Sequence, residues 1–237
     1  MENLSLGNGL DELELLKEGT GLSDSSVLDT GLYQALLKYI YFTTNKSGTK
    51  SANAVVEING LTHTYSMCFT YKETNSPTKV VNGKTQVIPG YRQLNNLCFV
   101  ASGKPVNKCE QEEKTILVYD RTQKKEVPTM VNTIKDVMGA KIGVGIKKIH
   151  KHKTALMPTG VYVPTTEMFY TNEVDDWYTA EGLSAQEAAT GKSAEKALKW
   201  KEKAGQVFEE KLKVEPIAPP TNSLEEATQK KASDLFL

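Results

Sequence analysis

A lysine-rich stretch in the second half of the chain carries the residues best suited to binding chemistry. It runs from 141 to 153 as KIGVGIKKIHKHK and contains five lysines and no acidic residue. Gly143 and Gly145 alternate there with branched apolar residues, which indicates a strand. Glycines on the outward face of a strand would let a ligand backbone come close, so that the lysines meet its phosphates. The alternative is a strand bent at its glycines and followed by a solvated lysine tail.

Aromatic side chains supply a second ingredient, because they are interleaved with basic residues between positions 38 and 92. A positive groove with aromatic rings on which unpaired bases stack is the physical basis for binding single strands without sequence choice. The rings next to a basic residue at strand ends are the better candidates for stacking. The sequence therefore predicts a nucleic-acid-binding set of Tyr41, Lys46, Lys50, Tyr71, Lys72, Tyr91, Arg92, Lys147, Lys148, Lys151 and Lys153.

Catalytic and metal-binding patterns receive little support. The sequence has no GxSxG, GxxxxGK[ST], HExxH or GxGxxG motif. His150 and His152 would share one face of a strand, but the neighbouring lysines repel a cation and no third ligand is evident. Asp175 and Asp176 are interpreted as solvated surface. We therefore predict a protein that is not an enzyme and needs neither a cofactor nor a metal.

Composition and charge limit the class of protein further. The 237 residues are 39% hydrophobic and have a net charge of zero. That zero conceals an acidic start, a basic body and an acidic end, with net charges of −6 over 1–29, +10 over 30–170 and −4 over 171–237. Such segregation favours an anionic partner for the body. No apolar run suits a membrane span or a signal peptide, so we expect a cytoplasmic protein without membrane contact.

Three cysteines are an odd number without CxxC spacing, which makes a disulfide framework or a zinc ribbon improbable. Cys68 and Cys98 lie in apolar patterns and are predicted to be core residues. Reduced, structural thiols agree with a cytoplasmic location.

Strands dominate the body that must position these residues. Alternation of apolar and polar residues predicts strands, and Asn59-Gly60 and Asn82-Gly83 predict hairpin turns because both residue types tolerate positive φ. A helix is expected after Pro89-Gly90, with Leu94, Leu97, Cys98 and Ala101 on one face and Gly103 at its end. The predicted strands are 32–43, 52–58, 63–71, 115–119, 126–134, 141–149 and 161–170.

This order predicts a mostly β fold of the α+β type, an OB-fold. Its five-stranded barrel would carry the helix between the third and fourth strands, with flexible ends and a C-terminal helix. Another antiparallel α+β arrangement stays open. The C-terminal helix would start at a capping box of Ser184 and Glu187 and continue through Trp200 to Phe208. The expected divisions are an acidic extension (1–29), the barrel domain (30–178), a helical segment (179–214) and a flexible tail (215–237).

Several segments resemble phage-encoded single-stranded DNA-binding proteins, and they occur in the expected order. They are TGLYQALLKYIYFTTNKSGTKSANAVVEING (30–60), IPGYRQLNNLCFVASGK (88–104), EEKTILVYDRTQKKEVPTMV (112–131), MGAKIGVGI (138–146) and NEVDDWY (172–178). The resemblance implies an OB-fold that coats single-stranded DNA during phage DNA replication, recombination and repair in the host cytoplasm. It also implies a C-terminal tail that recruits phage or host replication proteins, here through Asp234, Leu235, Phe236 and Leu237.

Two positions depart from the family pattern, and two other functions compete with it. Cys68 stands where related sequences carry Trp, and the tail is only weakly acidic, with Leu237 following Phe236. One alternative is a recombination protein that anneals complementary strands and forms rings or filaments. The other is a phage inhibitor that binds an acidic host partner and has no affinity for DNA.

Overall fold

A computed structural model describes residues 27–45, 48–120, 123–212 and 214–218 of the chain. These residues divide into two compact units. The larger unit contains Asp29–Lys148 and Asn172–Val207. The smaller unit contains Ile149–Thr171 together with the described residues that precede Asp29 and follow Val207. Lys46 and the proposed tail residues Asp234, Leu235, Phe236 and Leu237 lie outside the described residues.

Three antiparallel strands open the larger unit as the alternation predicts. They are β1 (Gly31–Thr44), β2 (Lys50–Ile58) and β3 (Leu61–Cys68). β2 and β3 pair from Ser51 opposite Cys68 to Ile58 opposite Leu61. The turn between them is Asn59-Gly60, and both residues have the positive φ that a tight hairpin turn demands. The predicted hairpin is confirmed.

The register gives these three strands an apolar face and a more polar one. Across the strands Ile40 is opposite Ala54, which is in turn opposite Tyr65, and all three side chains share one face. Ile40 and Ala54 are fully buried. The opposite face carries Tyr39 and Tyr41 of β1. This division of faces places Tyr65 in the core row of β3.

Two long strands extend the sheet on the other side of β1. β8 (Ala140–Leu156) pairs antiparallel with the first half of β1, from Gly31 opposite Ile146 to Leu37 opposite Ala140. β9 (Tyr162–Thr179) pairs with β8, and so does the short β10 (Val207–Glu209). Both long strands run past the predicted bounds of 141–149 and 161–170. The order across the sheet is thus β9 and β10 on β8, followed by β1, β2 and β3.

Two hairpins and a helix separate β3 from β8. β4 (Thr78–Val81) and β5 (Lys84–Val87) form a small sheet of their own around Asn82-Gly83, as predicted. Helix α1 (Pro89–Ser102) buries Leu94, Leu97, Cys98 and Val100 and ends at Gly103 in the left-handed conformation, which confirms the predicted helix. β6 (Gln111–Asp120) and β7 (Lys125–Ile134) follow as a hairpin that joins the sheet where Thr133 pairs with Tyr41.

The segment after β9 holds two short helices, so the single helix predicted from 184 to 208 is wrong. The capping box of Ser184 and Glu187 is present and starts α2 (Ala185–Thr190), which Gly191 ends in the left-handed conformation. Helix α3 (Glu195–Lys203) follows, and the chain then turns at Gly205 and enters β10. Apolar residues recur at helical spacing past Gly191 and Gly205, but the backbone leaves the right-handed helical conformation at both glycines.

Thr30 joins the two ends of the larger unit. Its hydroxyl donates to the carbonyl of Gln206 and accepts from the backbone N–H of Lys148 at 2.9 Å. Its own carbonyl accepts from the N–H of Gly205 at 2.8 Å. Thr30 is 2% exposed, so these bonds form away from water.

The smaller unit contains the distal part of the β8–β9 hairpin. His150 stacks on Tyr170 with ring centroids 4.6 Å apart, and Nδ1 of His152 lies 2.7 Å from the carbonyl oxygen of Thr165. Ile217 adds a parallel bridge to Thr165.

The described chain is mostly β, with a large antiparallel sheet and few helices, as predicted. Among the described residues none of the helices combines the length and the apolar character that crossing a bilayer requires.

Candidate nucleic-acid interface

One end of the β1–β3 sheet opens into a pocket of about 470 Å³, which we call the end pocket. Lys50 at the start of β2 and Tyr91 on α1 line it, so the structure brings together two of the residues predicted to bind nucleic acid. The other lining residues are Phe42, Thr43, Thr44, Phe69, Leu94, Val106, Asn107, Gln111 and Asn132. The pocket thus joins three aromatic rings, one lysine and several neutral polar side chains.

Short-range contacts hold the rings and the lysine in place. The rings of Phe42 and Phe69 meet edge to face with centroids 5.5 Å apart. The backbone N–H of Lys50 donates to the Thr70 hydroxyl at 3.0 Å, and its carbonyl accepts from the N–H of Phe69 at 3.1 Å. These bonds fix the start of β2 against the residues that follow β3.

Gly90 lets α1 approach the end of β3 closely. A Cβ atom at this position would lie 2.0 Å from the carbonyl oxygen of Cys68, a distance that no real Cβ contact tolerates. Glycine therefore lets the first turn of α1 rest on the end of β3. The next residue is Tyr91, whose ring enters the end pocket as a result.

Three of the basic residues predicted to bind nucleic acid are not neutralised by the described part of the chain. Lys50, Lys72 and Arg92 are exposed. No carboxylate of the described residues lies within ion-pair distance of any of these three cations. They are accordingly available to a phosphate without first losing a partner.

The other two predicted stacking rings lie outside the lining of this pocket. Tyr41 is half-buried beside Tyr39, with ring centroids 6.2 Å apart, and burial raises the pKa of its hydroxyl. Tyr71 sits in the turn after β3, where the ammonium of Lys79 lies 4.5 Å from the centre of its ring. This cation–π contact already occupies one face of Tyr71.

Three of the lysines of β8 have carboxylate partners, unlike Lys50 at the end pocket. Lys147 bonds Asp175, and Lys148 lies 3.1 Å from Asp29. In the smaller unit Lys153 lies 2.9 Å from Glu167, and Lys151 is half-buried. A phosphate at Lys147, Lys148 or Lys153 would have to displace the carboxylate that already pairs with that lysine.

The glycine face of β8 was predicted to admit a ligand, and that prediction is wrong. Gly143 and Gly145 are both buried. A Cβ atom on Gly145 would lie 2.5 Å from the indole ring of Trp200, and one on Gly143 would lie 3.0 Å from Cβ of Tyr178. Trp200 also donates its indole N–H to the Tyr178 hydroxyl at 2.7 Å. The space above these glycines is filled by the protein's own aromatic residues.

Two of the cysteines differ in their surroundings. Cys98 is fully buried, as predicted, and burial raises the pKa of its thiol. Cys68 is exposed at the end of β3, so its prediction as a core residue is wrong. The alternation along β3 explains the difference, because Met67 takes the buried face and leaves Cys68 on the other one.

The predicted binding set omits Phe42 and Phe69, because neither stands beside a basic residue. The neutral residues Asn107, Gln111 and Asn132 were missed altogether. Met67 and Phe69 share a face in the predicted third strand, and this alternation could have placed Phe69 with the buried row. For the three amide residues no local pattern gives a signal, since three separate elements contribute them.

Releasing the β8 lysines should strengthen their interaction with single-stranded DNA if they contact phosphates. We expect the double variant Asp29→Asn and Asp175→Asn to bind more tightly at low salt. The slope of log K against log salt should steepen by about 0.7 for each lysine that gains a phosphate contact. Fluorescence anisotropy of labelled oligothymidine at several salt concentrations measures both quantities.

Glu57→Gln is the matched control, because Glu57 pairs with Lys38 at 3.3 Å and Lys38 is outside the predicted set. An unchanged slope in the double variant would mean that Lys147 and Lys148 serve the fold alone.

Comparison with known proteins adds no relative: no protein-family model matches the chain, and no curated protein matches it.

Proposed function

We propose that this protein binds single-stranded DNA without sequence preference and without catalysing a reaction. One observation carries the proposal. The end pocket presents the rings of Phe42, Phe69 and Tyr91 next to Lys50, whose charge the described part of the chain leaves unpaired. Aromatic rings attract the flat faces of any base and free cations attract the phosphates, so this combination does not depend on sequence.

The same proposal includes an OB-type barrel built from β1, β2, β3, β8 and β9. Two observations support it. These strands follow one another in the order β9, β8, β1, β2, β3, and residues of β3 and β9 line a common cleft. α1 then lies between the third and fourth barrel strands, and the β4–β5 and β6–β7 hairpins are insertions. The loop between β1 and β2, which carries Lys46, is one that OB-folds use for oligonucleotides.

The proposed biological role follows the resemblance to phage single-stranded DNA-binding proteins. The protein would coat single strands in the host cytoplasm during phage DNA replication, recombination and repair. Asp234, Leu235, Phe236 and Leu237 would recruit replication proteins of the phage or the host.

Competition between single-stranded and duplex DNA tests the binding function directly. The full chain should bind labelled poly-dT much more tightly than a duplex of equal length, because paired bases cannot stack on protein rings. Equal affinity for both would refute the proposal. Rings or filaments that appear when complementary strands are added would favour an annealing protein, and no affinity for DNA at low salt would favour the inhibitor.

Lys50 offers a sharper test of where the strand binds. Lys50→Ala should weaken binding of poly-dT and reduce the salt slope of log K by about 0.7, because one phosphate contact is lost. Lys38→Ala is the control, since Lys38 is another β1–β2 lysine but is already paired with Glu57. The same slope in both variants would place the DNA elsewhere.

A further inference from the structure

A second recess of about 250 Å³ lies between β3 and β9 in the larger unit, and we call it the seam cleft. Four residues of β3, four of β9 and one of α1 line it. They are Thr64, Tyr65, Ser66 and Met67, then Asn172, Glu173, Val174 and Trp177, and finally Gln93. Amides, hydroxyls and a carboxylate thus surround two aromatic rings.

Two residues that line the seam cleft carry buried polar atoms without a hydrogen-bond partner among the described residues. Trp177 is fully buried, and its indole N–H has no hydrogen-bond partner among the described residues. The Tyr65 hydroxyl also lacks a partner among the described residues. The same holds for Nε2 of His63, which does not line the cleft but whose ring stacks on Tyr65 with centroids 6.3 Å apart. A polar group that is buried without a partner is unfavourable, so each such group calls for an explanation, such as a bound molecule or a functional role.

The cleft does not suit an inserted peptide strand. Within the described part of the chain β3 pairs with β2 and β9 pairs with β8, which leaves an edge of each strand facing the cleft. A guest strand would have to form backbone hydrogen bonds with these edges. The Gln93 side chain already donates to the carbonyl of Val174 at 3.3 Å and so blocks the middle of the β9 edge.

We propose that the seam cleft binds one nucleobase of the single strand, an inference that rests on the proposed function. The half-buried ring of Tyr65 gives the cleft an aromatic surface and packs edge to face against the fully buried ring of Trp177, with centroids 6.2 Å apart. The indole N–H is a donor, and the amides and hydroxyls can both donate and accept. A base extruded from a single strand needs both elements, an aromatic surface and partners for its polar edge.

The position of the cleft suits a strand that already contacts the end pocket. Met67 lines the seam cleft and Phe69 lines the end pocket, two residues further along an extended chain, which is about 7 Å. On α1, Gln93 belongs to the cleft whereas Tyr91 and Leu94 belong to the pocket. One nucleic-acid strand can therefore reach both recesses with neighbouring nucleotides.

A filled cleft tests the inference while the rest of the interface stays intact. Ser66 is exposed where β3 borders the cleft, so Ser66→Phe should place a ring across the cleft mouth and leave the core unchanged. Thr62→Phe is the matched control, because Thr62 is exposed on the same face of β3 but lines neither recess. We expect Ser66→Phe to weaken binding of a short oligothymidine about tenfold and Thr62→Phe to leave it unchanged.

An abasic scan separates this inference from the proposed function. In the wild type, removal of the base at one position of the oligothymidine should weaken binding about tenfold, and Ser66→Phe should abolish that sensitivity. Equal behaviour of the two phenylalanine variants would overturn the base site and leave the single-strand function standing. Failure of the wild type to bind any oligothymidine would overturn both.

The indole N–H signals give a readout at the atom itself. Trp177 and Trp200 are the two tryptophans of the chain, and Trp200 is already bonded to Tyr178. When unlabelled oligothymidine is added to ¹⁵N-labelled protein, the Trp177 signal should move downfield as it gains an acceptor, whereas the Trp200 signal should stay. A Trp177 signal that does not move would contradict the proposal.

Discussion

Replacing Gly90 with alanine is expected to destabilise the fold and to disable the end pocket together. The added Cβ would meet the carbonyl oxygen of Cys68 at 2.0 Å, so the first turn of α1 must move away from β3. Forcing extra volume into a packed contact costs about 3 kcal/mol. For a chain of this size that corresponds to a melting temperature lower by about 6–12 °C, measurable by circular dichroism.

Gly31→Ala is the matched control for that change. Its Cβ would lie 3.3 Å from the ring of Tyr33, a side chain that can shift, so the melting temperature should change little. The Gly90→Ala protein that remains folded should also bind poly-dT more weakly, because Tyr91 moves with the helix start. Normal affinity in a destabilised variant would show that the position of Tyr91 does not matter for binding.

Tyr91→Ala is expected to give a large loss of DNA affinity among single-residue changes at the end pocket. Removal of one ring that stacks on a base costs about 1–3 kcal/mol, which is roughly a fivefold to hundredfold weaker Kd. Tyr91→Phe should bind like the wild type, because the ring and not the hydroxyl does the stacking. Titration of labelled poly-dT at constant salt measures the difference.

Tyr119→Ala controls for the general loss of an aromatic side chain. Tyr119 is 56% exposed on β6 and does not line the end pocket, so its removal should leave the affinity unchanged. Equal losses in the Tyr91→Ala and Tyr119→Ala variants would indicate a diffuse surface in place of a defined site. An unaffected Tyr91→Ala protein with a normal melting temperature would remove this ring from the interface.

Local patterns were sufficient for the elements that position the candidate site. Alternation located β1, β2 and β3, and Asn59-Gly60 located their turn, since strand periodicity and positive φ are properties of neighbouring residues. Gly103 likewise marked the end of α1. Lys50 and Tyr91 could be chosen in advance because each stands at the boundary of an element that the sequence already indicates.

Long-range packing determined what the sequence could not show. The lysines of β8 look like one basic strip in the sequence, but their partners Asp29 and Asp175 lie far away along the chain. The spacing of Gly145 suggested room for a ligand because Trp200, which covers this glycine, is separated from it along the chain by the rest of the β8–β9 hairpin and by α2. The distinction between a free and a paired lysine depends on the fold and not on spacing.

Because of the hydrogen bonds of Thr30, the two ends of the larger unit are not expected to unfold locally one at a time. The hydroxyl and the carbonyl of Thr30, a buried residue, hold the start of β1 against the residues after α3. Neither segment can therefore detach without breaking the hydrogen bonds that it shares with the other. Terminal segments usually exchange their amide hydrogens through local unfolding that costs little free energy. Here the amides of Lys148 and Gly205 should be protected nearly as well as the central strands, because their exposure requires the two ends of the unit to open together.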